Sequence, residues 1–377
     1  MWSDEYFGRE SPLNTPATQT PVLQPQQRAV LVFVGIFGLF WASFLLRTRL
    51  VEQYDTFASL YDRGAHVGEA SLWIGVVILA VWLCVTASRH ASNEVVRKNE
   101  LVDVGSNQGV AALPLLLALM PFLLVYFFTR ESSYEEQHKF INENPVGKTF
   151  YLTYLYFAIL IAEGMVGKFR QRRRTIEFAV LALTISLTVP LRSFIIADFF
   201  IILIFGRVRL LPAVMIVAAL IGGFVVMAVI RSGGSLKDVD TLALNLAMLG
   251  GGPSTQIDLY FLAKENGFAT ASNFADALGS MFSDFFVEGG GFGSFLPLEL
   301  AFMLPDVYLP ALAAFLLLAS YSVRSRSILV RAALVCMGTL SISILRNPLS
   351  SWTKGYVVLV ALVVFHVSRH SHRSAHL

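Results

Sequence analysis

Three arginines and one glutamate are the residues of this chain whose types and positions could do chemistry. Arg192 stands in the short turn Pro190–Leu191–Arg192–Ser193 between two apolar runs, Arg231 follows a third run and Arg346 a fourth. A guanidinium at the edge of an apolar segment is costly unless it is paired or reaches water, so such residues are functional candidates by default. The planar fork of the side chain suits bidentate binding of phosphate oxygens, and three forks opening onto one face can hold a lipid-linked diphosphate. The plainer reading is that each arginine snorkels to an interface and meets lipid headgroups. Glu299, in Phe295–Leu296–Pro297–Leu298–Glu299–Leu300, opens an apolar run with no further acid until Asp306. A carboxylate so placed serves either as a general base toward an acceptor hydroxyl or as the group that holds one of the arginines in position. Asp198 lies two helical turns into the run that starts at Arg192, where a buried partner or a charge compensating an arginine is expected.

The elements that would position these groups are apolar helices. Of 377 residues, 55% are hydrophobic and 15% charged, too apolar a balance for a domain with a water-facing surface. Separate apolar runs recur, each long enough to cross a hydrocarbon core of about 30 Å as a helix. They predict an all-α polytopic membrane protein of about ten transmembrane helices, at 29–46, 71–88, 109–129, 149–167, 175–191, 193–206, 210–230, 296–322, 327–345 and 355–368. A disordered tail rich in Pro, Thr and Gln is expected over 1–27, one transmembrane domain over 28–368, and a second tail over 369–377. The first tail lacks the order of a secretory signal, so the first helix is expected to remain as an anchor.

Basic residues set the expected orientation, because short cytoplasmic loops carry an excess of Lys and Arg. Placing Lys168, Arg170, Arg172, Arg173 and Arg174 inside also places inside the pairs Arg97 and Lys98, Arg207 and Arg209, Arg324 and Arg326, and Arg369 and Arg373. Both termini are then cytoplasmic, and the long stretch 231–295 is extracytoplasmic. Within it, Leu242–Leu249, Ile257–Leu262 and Phe274–Phe286 read as short amphipathic helices, with glycine clusters between them as hinges. That is the build of a lid. Of its acids Asp238, Asp240, Asp258, Asp276, Asp284 and Glu288, most read as solvated, with one or two left to bind sugar hydroxyls.

Other chemistries find little footing. The net charge of +3 is too small for a nucleic-acid-binding surface. Cys84 and Cys336 both lie in apolar runs and read as packing residues. No Walker loop, GxGxxG, HExxH or GxSxG is present, so nucleotide hydrolysis, dinucleotide use and standard hydrolase chemistry lose support. His66 and His138 fall on separate loops, so neither a histidine metal site nor any cofactor is expected.

Three stretches make the chain similar to the oligosaccharide repeat unit polymerases, the Wzy-type enzymes of O-antigen and capsule synthesis. Leu191–Arg192–Ser193 with the run Phe194–Phe205 resembles that family's short arginine turn between spans. Arg231–Ser232–Gly233–Gly234 resembles the opening of its long external loop. Gly291–Phe292–Gly293–Ser294–Phe295–Leu296–Pro297–Leu298–Glu299 resembles its glycine–phenylalanine stretch ending in a glutamate. Arg346 with the final span completes the pattern, which covers residues 150–368; Met303–Leu304–Pro305–Asp306 departs from it.

The resemblance implies a metal-independent, GT-C-like glycosyltransferase of the bacterial inner membrane, polymerising undecaprenyl-diphosphate-linked oligosaccharides into O-antigen, capsule or exopolysaccharide. Arg192, Arg231 and Arg346 would bind the diphosphate, and Glu299 would act on the acceptor hydroxyl. Membrane lipids, a chain-length regulator and a flippase are the implied partners. Competing readings are an O-antigen ligase, disfavoured by the absence of His from the long loop, and a transporter or flippase of lipid-linked sugars. The latter predicts several charges deep within spans, of which Asp198 and Glu163 are the visible ones. A non-catalytic envelope scaffold would leave the arginine set without a role.

Overall fold

Runs of Leu, Val, Ile, Phe and Ala without interior water-seeking groups fold as helices because each backbone N–H then finds a carbonyl within its own segment. The computed structural model describes residues 23–46, 62–89, 113–130, 132, 134–188, 192–206, 256–262, 264–265, 296–304, 306–346 and 349–375. Among the described residues the regular structure is entirely helical. In order these are α1 (Pro25–Leu45), α2 (Arg63–Arg89), α3 (Leu113–Thr129), α4 (Tyr134–Glu143), α5 (Tyr151–Met165), α6 (Gln171–Leu187) and α7 (Arg192–Phe205). After the helical segment 256–262 come α8 (Leu296–Met303), α9 (Tyr308–Tyr321), α10 (Ile328–Thr339), α11 (Ser341–Arg346) and α12 (Leu349–Ala375).

Among the described residues, three helical stretches are long and apolar enough to cross a membrane: Pro25–Leu45, Gly64–Ala87 and Pro145–Met165, the last including a 3-10 turn ahead of α5. Outward faces of the helices are apolar too, with Leu72, Ile78 and Trp82 exposed on α2 and Leu116 and Phe127 exposed on the shorter α3. Apolar residues all round a helix suit a lipid surface rather than water. Hydroxyls inside these helices are satisfied locally, Thr129 donating to Val125 O, Ser320 to Leu316 O and Thr339 to Val335 O.

At the centre stands α1, packed on α2, α7, α9, α10 and α11. With α2 it shares an aromatic seam in which Trp41 stacks on Trp73 at 5.8 Å and Phe37 meets Trp73 edge-on at 5.5 Å. With α10 the approach is closer still. A Cβ added at Gly338 would lie 2.5–2.7 Å from the backbone and Cβ of Ala29, so only glycine lets the two backbones meet. The end of the bundle where α1 begins is here called lower, and the end where it finishes upper. At the lower end Gln27 Nε2 donates to Cys84 O at 3.1 Å, and Arg28 Nη1 donates to Gly206 O at 2.5 Å. Arg324 Nε donates to Ala87 O at 3.3 Å. Two guanidiniums thus meet the exposed carbonyls and negative dipole ends of descending helices. These bonds fix α2, α7 and α9 as antiparallel to α1, so the first residues of all three lie at the upper end.

The structure corrects several sequence expectations. The segment 296–322 is not one helix: α8 and α9 are separate, with Asp306 and Val307 in a turn, because Pro305 offers no N–H to continue the ladder. The first tail ends sooner than residue 27, since Pro25 starts α1 and the Gln24 N–H is capped by Gln27 Oε1 at 2.8 Å. At the other terminus α12 runs on to Ala375 through the segment read as a tail. Between α3 and α5, the expected plain loop holds α4 and the 3-10 turn. The expected span 210–230 and most of the long loop lie outside the described residues.

Gly338→Val should destabilise the fold by about 1–3 kcal/mol through overpacking against Ala29. Gly35, where an added Cβ meets nothing within 4 Å, should accept alanine without loss. Thermal unfolding of the two variants in detergent micelles checks the contrast.

Candidate functional site

Arg192 is the first residue of α7, Arg346 the last of α11, and Glu299 lies in the first turn of α8. α11 packs against both α7 and α8, so the elements bearing these three residues adjoin one another. Glu299 is buried, whereas the Arg346 side chain is exposed. Arg231 lies outside the described residues. Below Arg192, Phe194 is held by Phe122 of α3 at 5.6 Å, Phe150 at 5.5 Å and Tyr154 of α5 at 5.7 Å. This aromatic block sets the start of α7 against its neighbours.

A second upper-end feature is a clasp that sequence reasoning missed. The Glu69 side chain, on the first turns of α2, accepts hydrogen bonds at Oε1 from Tyr260 Oη at 2.5 Å and Tyr308 Oη at 3.1 Å. Its Oε2 takes the Lys264 ammonium at 2.7 Å, and the two tyrosine hydroxyls touch each other. Nearby, His66 Nε2 meets Glu265 Oε1 at 2.7 Å, and its ring stacks on Phe261 at 4.1 Å. Phe261 also packs on Phe44 and Trp41.

The piece of the long loop spanning 256–265 is therefore fastened to α1, α2 and α9 by one carboxylate and an aromatic wall. Burial first, and then the charge of Glu69, push the Tyr260 hydroxyl above its ordinary range. At Lys264 burial works against the charge, but the hydrogen bond and charge of Glu69 outweigh it and raise the ammonium's pKa. With three donors converging on it, Glu69 is a fastener rather than a base. Asp258, expected among the solvated acids of the long loop, is instead fully buried in the same segment. The signal that could have found Glu69 was the one used for Glu299, a lone acid at the mouth of an apolar helix.

At the opposite end α5, α6 and α7 enclose a charged cluster. Arg174, read from sequence as one of five loop-end cations, is buried at 3% exposure and pairs with both Glu163 and Glu177. Glu177 also accepts from Arg173 Nε at 2.8 Å. The expectation that Asp198 answers an arginine holds in an altered form, since its electrostatic neighbours are Glu177 and Arg174 rather than an upper-end arginine. Glu177 went unnoticed in the sequence because an acid after three consecutive arginines reads as a solvated helix start.

Among the described residues, no group of three or more His, Cys, Asp or Glu is gathered to hold a metal ion. Compared with known protein families, curated proteins and solved structures, the chain finds no match in any of the three.

Two outcomes follow for stability. Arg174→Ala removes the buried guanidinium shared by Glu163 and Glu177 and should cost about 3–5 kcal/mol, against less than about 0.5 kcal/mol for the exposed Arg346→Ala, as read by thermal unfolding. A double-mutant cycle of Glu69→Gln with Tyr260→Phe should return a coupling of about 0.5–3 kcal/mol. Hydrogen exchange over 256–262 should rise in both single variants.

Proposed function

We propose that the chain is a membrane glycosyltransferase that polymerises oligosaccharide repeat units carried on undecaprenyl diphosphate. The observation that supports it is the adjacency of the elements bearing Arg192, Arg346 and Glu299 within an apolar helical bundle that also holds a clasped piece of the long loop. In this reading the chain has about ten spans in a GT-C-like arrangement in the bacterial inner membrane. The upper end is extracytoplasmic and both termini are cytoplasmic.

The donor is a glycan joined through its anomeric carbon to the lipid diphosphate. Arg192, Arg231 and Arg346 hold the diphosphate and meet the negative charge that grows on it as the anomeric carbon–oxygen bond breaks. The hydroxyl of a second lipid-linked repeat unit attacks that carbon. Glu299 orients this hydroxyl and accepts its proton, and the lipid diphosphate departs. No metal ion enters this scheme. The loop, held at 256–265 by Glu69, covers both glycans and keeps water from the donor. A chain-length regulator and a flippase are the partners such an enzyme requires.

A second reading, a transporter of lipid-linked sugars, draws support from the charged cluster of Glu163, Arg174, Glu177 and Asp198 inside the bundle.

Gel analysis of glycan chain length in the host, at matched membrane abundance, tests the proposal. Arg192→Ala, Arg231→Ala, Arg346→Ala and Glu299→Ala should each replace long chains by accumulated single repeats. Long chains that persist unattached point to a ligase, and unchanged chains in all four variants sink the polymerase reading.

A further inference from the structure

The cluster between α5, α6 and α7 holds three carboxylates, Glu163, Glu177 and Asp198, against two guanidiniums, Arg173 and Arg174. Both guanidiniums are already engaged with Glu163 and Glu177. Asp198 is left over. It is 1% exposed, and its Oδ2 has no hydrogen-bond partner. Two more buried atoms of the cluster are unsatisfied as well, Tyr156 Oη and Arg174 Nε. Tyr156 lies within electrostatic range of Asp198, Glu177 and both arginines.

Charges on the other helices packed against α7 do not close the account. Arg28 of α1 is spent on the carbonyls of Ile204 and Gly206. Arg331 and Cys336 of α10 and Arg346 of α11 are the remaining ionisable groups on those neighbours, while the charges acting on Asp198 are those of Glu177 and Arg174. An unpaired carboxylate in an apolar bundle is far more costly than a neutral acid. One side of the cluster meets the outside, because Glu163 keeps 30% of its side chain exposed near the lower end.

We propose that Asp198, with Glu177, Glu163, Arg174 and Tyr156, forms a proton-binding site that holds one exchangeable proton within the helical bundle. The proton sits on an Asp198 oxygen, with the Tyr156 hydroxyl buried in the same cluster. Glu163 is the relay to the lower face, and Arg174, paired with Glu163 and Glu177, leaves Asp198 as the carboxylate without an ion-pair partner. The site goes beyond glycosyl transfer and does not rest on it. It gives the chain a means of responding to a proton gradient, whichever substrate the upper end takes.

Infrared difference spectroscopy on the purified full chain in lipid nanodiscs at neutral pH tests the site. The unaltered protein should show a protonated-carboxyl C=O absorption that shifts in D2O, and Asp198→Asn should remove that component. Glu177→Gln should remove it too, although Asp198 is intact, because two carboxylates then face two guanidiniums and Asp198 ionises. Absence of the absorption from the unaltered protein overturns the proposal even where Asp198→Asn fails to fold. Its survival in Asp198→Asn shows that another group carries the proton, and its survival in Glu177→Gln refutes the charge count.

Discussion

Inside an apolar bundle there is no water to fall back on, so every polar group must be answered by another group of the chain or be neutral. The described parts of this protein are organised by that demand. Backbone groups are answered by helix formation, and the hydroxyls of Thr129, Ser320 and Thr339 by the carbonyl one turn back. Where α2 and α7 end and their last carbonyls would be orphaned, Arg324 and Arg28 arrive from other helices to accept the task. These are tertiary contacts between sequence-distant residues, 176 to 237 positions apart, and they fix the direction of the helices around α1. The aromatic seam and the glycine approach at Gly338 can then pack apolar surface against apolar surface without polar interruption.

The same demand separates the two ends of the bundle by function of charge. At the upper end, Arg192 begins α7, and Glu69 ties down a loop segment with hydroxyl and ammonium donors. At the lower end, Arg28 and Arg324 are spent on carbonyls, and Arg173 and Arg174 on Glu163 and Glu177. Cations already engaged suit permanent structure, and they leave the surplus Asp198 as the group that must change its state.

Most of the helices were legible in the sequence because an apolar run carries its own boundary, where the charges resume. What misled was local. Pro305 and Asp306 were visible in the sequence, but the apolar residues on both sides outweighed them, and two helices were read as one. Arg174 was counted with Lys168, Arg170, Arg172 and Arg173 because a row of basic residues identifies a loop end, not which member turns inward. The row starts α6, and helical phase carries Arg174 and Glu177, three residues apart, onto the face toward α5 and α7. Glu69 and Asp258 were passed over for a related reason. Their partners Tyr260, Lys264 and Tyr308 lie 191 to 239 positions away from Glu69, and pairing of that kind leaves no periodic trace.

The clasp and the cluster differ in a way that bears on what each can do. Glu69 is met by three donors, which fix its geometry as a fastener requires. Asp198 is met by fewer, so its environment is stable only when it is neutral or when a neighbour gives up its charge. A change in the position of α6 relative to α7 would alter how the Arg174 charge is shared among Glu163, Glu177 and Asp198. Since α7 also carries Arg192 at its upper terminus, any axial shift of that helix would move the upper-end cation with it. The single rigid element shared by both ends is the physical route by which proton occupancy could bear on ligand binding.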